Sequence, residues 1–337
     1  MSENSTFLLN NAGLGFGDYG PEDELLHPQM NAAIADEALT ETQYFGFSVP
    51  EERIHGLTYF WHHPRLKTFT GGAMVWRGIK DHQLACELYD MRLFMSDTKI
   101  PTNIDRLRMP SSYQVDVIEP FKKMRVQYED KARNNAFDIV FTAIAPPAML
   151  PNRKHFEQPM RTKGSLTLRG KTYVVDGVNV RDRSWAEARS EAPVPFPPTA
   201  WLTGVFSDEL SFNCVCTDDP GRSPDWQGIY DIPASQSLKG GWIYSKGEYT
   251  RVTQASKLTR RDPVTLHPVQ HELELVDEKG QKLELTGQIV ASSPTGFWCN
   301  ARIFIALVKW SCKGQTGYGD SQEVQWTDYV HAKSRDK

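Results

Sequence analysis

The chain has 337 residues, 38 Lys and Arg against 42 Asp and Glu, and a formal net charge of −4, with a sequence pI near 6.2. That length exceeds one ordinary domain and points to two of roughly 150 residues each, and the weakly acidic balance lacks the basic field that a nucleic-acid backbone requires. Aromatic residues make up 11%, and 24 Gly with 21 Pro imply many turns and few long helices, which fits a β-rich protein.

The five cysteines, Cys86, Cys214, Cys216, Cys299 and Cys312, are an odd number scattered through a large chain, unlike a small secreted disulfide framework. The opening residues lack a basic region followed by an apolar run, and no stretch holds 18 uncharged apolar residues. The expectation is a cytoplasmic protein with reduced thiols, no export signal and no membrane insertion.

In chain order, residues 1–42 read as a polar N-terminal segment. Gly13, Gly15 and Gly17 imitate a dinucleotide loop but have no strand before them and lack its full spacing. Pro21 followed by acidic residues predicts a short helix between Pro21 and Met30. Residues 43–150 predict a first β domain of about seven strands, each of strand length and bounded by Gly, Pro or Asp. Its runs include Leu57–Trp61, Gly71–Trp76, Leu84–Phe94, Tyr113–Ile118, Met124–Tyr128 and Ala136–Ala145.

Three prolines between Ala145 and Pro159 break the pattern, and residues 151–163 are expected to connect the domains. Residues 164–337 predict a second β domain of seven to nine strands. It opens with two β runs around a Gly170 turn and contains a plain hairpin from His271 to Thr286. No residue-level repeat relates the two halves.

The run Arg181-Asp-Arg-Ser-Trp185 crowds charge and an indole at the end of a valine-rich strand. Side chains alternate along a strand, so Val174, Asp176, Val178, Val180 and Asp182 share one face, and Arg181, Arg183 and Trp185 share the other. A carboxylate on an apolar face must meet a cation or donor, or hold a proton. Asp176 and Asp182 lie about 20 Å apart along an extended strand, too far for one acid/base dyad. Two readings follow. In one, the charges form cross-strand ion pairs, with an arginine stacked on Trp185, that close a barrel end. Alternatively, Asp182 is a general acid or base at a pocket wall.

Several stretches together, Thr70–Gly78, Glu119-Pro120, Phe137-Asp138 with Ala145–Pro147, His155–Gln158, Gly164–Gly170, Arg181–Trp185 and Trp310 with Gly314–Gly319, carry a family likeness. The sequence resembles the lipocalin-like group that contains carotenoid 1,2-hydratase (hydroxyneurosporene synthase), in a poorly characterised bacterial branch. The match spans roughly residues 43–330. The resemblance implies an all-β fold of two tandem lipocalin-like (calycin) antiparallel β-barrels with few short helices. It also implies a hydrophobic substrate, such as a terpenoid, steroid or aromatic, and no organic cofactor. One departure is local: the family commonly has Gly after the Ser-Trp pair, where this chain has Ala186, and Gly permits a φ that Ala resists.

The functional expectation is acid/base chemistry on that substrate, hydration or dehydration, isomerisation or cyclisation. Asp182 is the proton-transfer residue, and Arg181, Arg183 and His155 orient it. Trp185, Tyr318, Asp176 and Trp76 are the substrate-binding candidates. A non-catalytic carrier would need the same cavity without the acid, and a partner-binding second barrel is a third reading. Asp90 and Arg92 read as a structural ion pair. His62-His63 and His267 with His271 are not completed by a carboxylate motif, so no metal site is expected. The Gly-x-Ser-x-Gly motif of covalent hydrolases is absent.

Overall fold

A computed structural model describes residues 16–99, 103–188, 197–223, 225–226, 228–230, 232–297 and 300–335. Gly13, Gly15, Cys299 and most of the Pro-rich run at 192–198 lie outside the described residues. The chain divides into two compact units, one containing 16–77 and 86–188, the other 78–85 and 197–335.

The first unit is built on eleven strands: β1 (Leu39–Val49), β2 (Ile54–His63), β3 (Thr68–Arg77), β4 (Leu88–Ser96), β5 (Arg106–Arg108), β6 (Gln114–Glu119), β7 (Lys123–Asp130), β8 (Asn135–Ala143), β9 (Ala148–Met149), β10 (His155–Leu168) and β11 (Lys171–Ala188). Their order in the sheet is β4-β3-β2-β1-β11-β10-β8-β7-β6-β5, with β9 on β10. Phe45, Phe47, Phe60, Val75, Leu107, Phe137, Met160 and Val175 all enter one apolar core. The sheet therefore curls around that core, while no ladder joins its edge strands β4 and β5. The Tyr128 hydroxyl reaches from β7 to the Asp90 carboxylate on β4 at 3.0 Å.

The second unit is a closed barrel of eight antiparallel strands: β12 (Thr199–Ser207), β13 (Leu210–Thr217), β14 (Leu238–Ser245), β15 (Glu248–Arg261), β16 (Pro268–Asp277), β17 (Lys282–Thr295), β18 (Ala301–Cys312) and β19 (Gln315–Trp326). The predicted hairpin is β16–β17, where Leu273 faces Leu285 and Leu275 faces Leu283 inside the barrel. Among the described residues there are two α-helices, α1 (Pro28–Ala32), which overlaps the end of the stretch read as helical, and α2 (Thr327–Arg335); Pro21–Glu24 forms a short 3-10 turn. Among the described residues no helix is long and apolar enough to cross a membrane.

The expected domain boundary is corrected. Residues 155–163 of the expected connection and 164–168 of the expected second domain together form β10, which pairs with β8 and along its whole length with β11. Pro159 is tolerated there because its carbonyl accepts from Ile144 N. The missing N–H therefore points where the β8 ladder, which starts at Met160 and Ala143, has ended. The predicted Gly170 turn is real and tight. Leu168 faces Lys171, and Arg169 and Gly170 have φ of 48° and 86°, the two positive values that a two-residue hairpin of the twist-matched kind needs. Gly164 allows β10 to approach β8, since a Cβ there would lie 2.0 Å from Asp138 O.

Candidate functional site

The motif at the end of β11 splits by alternation, and its two faces meet different surroundings. Arg183 is opposite Gln43 on β1 and Phe156 on β10, whereas Asp182 is opposite Tyr44 and Glu157.

On the first face Arg181 and Arg183 are 1% and 0% exposed. Arg181 donates two bonds to the Glu24 carboxylate at 2.9 and 2.6 Å and two to Gln158 Oε1 at 2.9 and 2.7 Å. Gln158 in turn donates to the carbonyls of Phe121 and Ala145. Arg183 donates to Glu41 at 2.6 Å and to the carbonyls of Glu24 and Leu25. His27 binds Glu41 through Nδ1 at 2.9 Å and stacks on Trp185 with centroids 3.9 Å apart and planes 3° from parallel. The Arg183 guanidinium also lies 5.7 Å from the Trp185 ring centre. These bonds strap residues 20–31 across the end of the curled sheet. Burial alone would raise the pKa of Glu24 and Glu41. Arg181 beside Glu24, and His27 with Arg183 beside Glu41, outweigh it and hold both carboxyls below their ordinary value.

The bulge that ends this network answers the Ala186 departure. Between Thr40 and Thr42 the β1–β11 register slips by one residue, and Ala186 takes φ 53°. This left-handed conformation costs a non-glycine residue about 1–2 kcal/mol. Compensation is local: Ala186 N donates to Asn31 Oδ1 at 3.1 Å, and the methyl is buried beside Trp185 and Phe156.

On the second face a cross-strand row runs Glu157, Asp182, Tyr44, Tyr59 over β10, β11, β1 and β2. The next row is His155, Ser184, Thr42, Trp61, in which the Thr42 and Ser184 hydroxyls are 2.8 Å apart. His55 and Trp76 continue the same face on β2 and β3, with ring centroids 5.0 Å apart. Glu157 is 4% exposed and faces His155 Nε2 at 3.5 Å. Burial opposes a charge on His155, but the Glu157 hydrogen bond and the carboxylates of Glu157, Asp182 and Glu187 overcome it and raise its pKa. Among the described residues no group of three or more His, Cys, Asp and Glu could hold a metal ion.

A raised folded-state pKa means that the folded form binds the His155 proton more tightly than the unfolded chain does. The resulting stability is fully present below the unfolded value near pH ~6.5 and is lost as pH rises through the folded value. Unfolding free energy of the first unit should therefore fall over that window in the wild type, and the His155→Gln variant should lose that pH dependence. Parallel wild-type and variant profiles from pH 5 to 9 would refute the assignment.

Of the residues expected in one site, the structure brings Asp182, His155 and Trp76 to one face. Arg181 and Arg183 are corrected: they point away from Asp182, committed to Glu24, Gln158 and Glu41, so they do not orient it. Trp185 shares their face and packs on His27. Asp176 is solvent-facing, its side chain 61% exposed and 3.8 Å from Lys163. Tyr318 belongs to the second unit, opposite Lys309 on β18 and so on the barrel's outer side, since Val308 and Trp310 point inward. Asp90 and Arg92 do pair, at 2.6 Å. Two open grooves of the first unit, about 360 and 380 Å³, are lined by residues such as Arg92 with Tyr128 and Tyr19 with Phe121, and neither includes Asp182.

Sequence reasoning missed Tyr44 and Glu157 as the groups facing Asp182, because nothing local specifies which strands flank β11. It also missed a second charged network inside the closed barrel. There Lys257 donates to Asp218 at 2.6 Å and to the Thr259 hydroxyl at 2.8 Å. Arg261 joins Asp218, Asp225 and Glu323. His271 sits between the Thr259 and Ser321 hydroxyls at 3.1 and 3.0 Å. Burial, with Lys257 nearby, lowers its pKa to about 3, so the ring is neutral. The available signal was Lys257, Thr259 and Arg261 recurring at every second position of one strand.

Three solved structures share this architecture. Kievitone hydratase from Nectria haematococca matches with a TM-score of 0.56 at 12% identity, covering 96% of this chain and 99% of that one. An AttH-like protein of Nitrosomonas europaea matches with 0.57 at 12%, over 92% and 97%. CghA matches with 0.56 at 12%, over 96% and 97%. At such identity the likeness is one of fold, and it defines the class: a tandem lipocalin-like β protein. No curated protein matches the sequence. The chain belongs to the family described as a domain of unknown function (DUF7064), whose model matches residues 20–328.

Proposed function

We propose that this protein is a hydratase- or cyclase-type enzyme acting on a hydrophobic small molecule of the terpenoid, steroid or aromatic kind without an organic cofactor. Asp182 is its proton-transfer group. The observation that carries the reading is the row Glu157–Asp182–Tyr44–Tyr59, which sets two carboxyl groups directly across a strand pair beside a run of aromatic rings. Two carboxyl groups facing each other across a ladder are within reach of a shared proton relay. Glu157 is anchored by His155, and Asp182 is the carboxyl group next to the aromatic rings of β1 and β2.

In a hydration, the Asp182 proton adds to one alkene carbon and its C=C electron pair forms the new C–H bond. The cation at the other carbon lies against aromatic faces that favour it. Water then adds to that carbon and returns a proton to the carboxylate. Cyclisation replaces the water with a second double bond of the same substrate, whose electron pair forms the new C–C bond; the cation this leaves loses an adjacent C–H proton to the Asp182 carboxylate and becomes an alkene. Support also comes from the resemblance to carotenoid 1,2-hydratase and from the fold shared with kievitone hydratase and CghA.

Native mass spectrometry of protein from its host should reveal a co-purifying hydrophobic ligand, and that compound's class supplies the assay substrate. Asp182→Asn should then lower turnover at least about a hundredfold while binding is kept. Unchanged turnover in that variant would sink the catalytic role, and a ligand bound but never altered by the wild type would make the protein a carrier.

A further inference from the structure

The opposite, inner face of the first sheet holds polar groups that the proposed chemistry does not use. Gln43 is fully buried on β1, yet neither its Oε1 nor its Nε2 finds a hydrogen-bond partner among the described residues. Each unmet group in such a position carries its full desolvation cost, and native interiors seldom tolerate it. Beside it on β11 is Arg183, whose terminal nitrogens are engaged while its Nε has no partner. On β2 the residue opposite Gln43 is Phe60, flanked two positions either way on the same face by Thr58 and His62. The buried hydroxyls of Tyr113 and Thr58 interact with each other, and neither makes a full hydrogen bond among the described residues.

We propose that these groups form an enclosed binding site, centred on Gln43, for a neutral molecule with a primary amide or protonated carboxylic acid head on an apolar body. The head follows from the chemistry of Gln43, whose adjacent donor and acceptor are completed by one ligand group offering an acceptor and a donor side by side. Arg183 Nε–H and the Tyr113–Thr58 pair flank it. Neutrality follows from charge: Arg181 and Arg183 are already matched by Glu24 and Glu41, and burial favours the uncharged form of His62. The body follows from the apolar surroundings of the same core, which include Phe45, Phe60, Phe69, Met109, Phe141 and Met160. The N-terminal strap covers this end, with Leu26 packed on the core, so exchange requires the strap to lift.

The test is isothermal titration of the full chain with octanamide and with N,N-dimethyloctanamide, which keeps the carbonyl and loses the N–H donors. Octanamide should bind the wild type. Binding should weaken at least tenfold in Gln43→Leu, about threefold in Tyr113→Phe, and at least tenfold for the dimethyl compound. Asp182→Asn, altered on the other face, should bind octanamide as the wild type does. Gln43→Leu replaces two unmet polar atoms by a side chain of similar reach and should stay folded; Tyr113→Phe keeps the ring and gives an independent reading. No binding to the wild type, equal binding to Gln43→Leu, or equal binding of both amides would each overturn the site.

Discussion

Replacing Arg261 by Met should destabilise the second unit by about 3–5 kcal/mol at pH 7, the cost of breaking a buried ion pair from one side. Arg261 donates to both oxygens of Glu323 at 2.8 and 2.9 Å, to Asp218 at 2.7 Å and to Asp225 at 2.9 Å. Asp218 and Glu323 are both 0% exposed. Without the guanidinium, Asp218 keeps Lys257 and Glu323 keeps the Gln325 amide at 2.7 Å, which leaves Glu323 buried without a directly paired cation.

The sign of the pH dependence gives a second readout. In the wild type burial would raise both carboxyl pKa values, but Arg261 depresses them. Their stabilisation is thus present above the unfolded values and lost as pH falls through the folded ones. In Arg261→Met the unpaired carboxyl favours its protonated form, so the deficit should shrink as pH falls towards about 4. Urea unfolding at pH 7 and pH 4.5 checks both points, and a loss below about 1 kcal/mol at pH 7 would show that the network contributes little.

A comparable loss, about 3–5 kcal/mol, is expected in the first unit for Arg181→Met. The variant leaves Glu24 buried without its bidentate partner and strips Gln158 Oε1 of both donors. Glu24 also accepts from Phe121 N at 2.8 Å, so the lesion passes into the strap, and amide exchange of residues 20–31 should accelerate before that of the core strands. Asp182→Asn, one position along, should change unfolding free energy by less than about 1 kcal/mol, since its face is outside this network. Equal losses in the two variants would erase the division of the motif between a structural and a chemical face. If the strap amides in Arg181→Met exchanged at the wild-type rate, the latch itself would be wrong.

That division was legible in the sequence. Strict alternation separates Arg181, Arg183 and Trp185 from Asp182 whatever surrounds them, because consecutive Cβ atoms leave a strand on opposite sides. The turn at Arg169-Gly170 and the β16–β17 hairpin were legible for the same kind of reason, whereas the strain at Ala186 was expected only through the family resemblance. The turn and the hairpin each depend on the conformational freedom of residues adjacent in the chain.

Partners were not legible, since they are far apart in the chain: Glu24 meets Arg181 across 157 residues and Glu41 meets Arg183 across 142. Placing β11 between β1 and β10, and so Asp182 between Tyr44 and Glu157, is a register choice made when the whole apolar core closes. The domain boundary was misread for that reason. Prolines near residue 150 mark a bend in the backbone, but whether the strand after a bend joins the old sheet or starts a new one depends on which edge is free to pair. By itself the sequence determined the β class, the turns and which residues of the motif share a face. Only the tertiary structure decided what each face meets, because alternation is set by covalent neighbours whereas pairing is set by burial shared across the sheet.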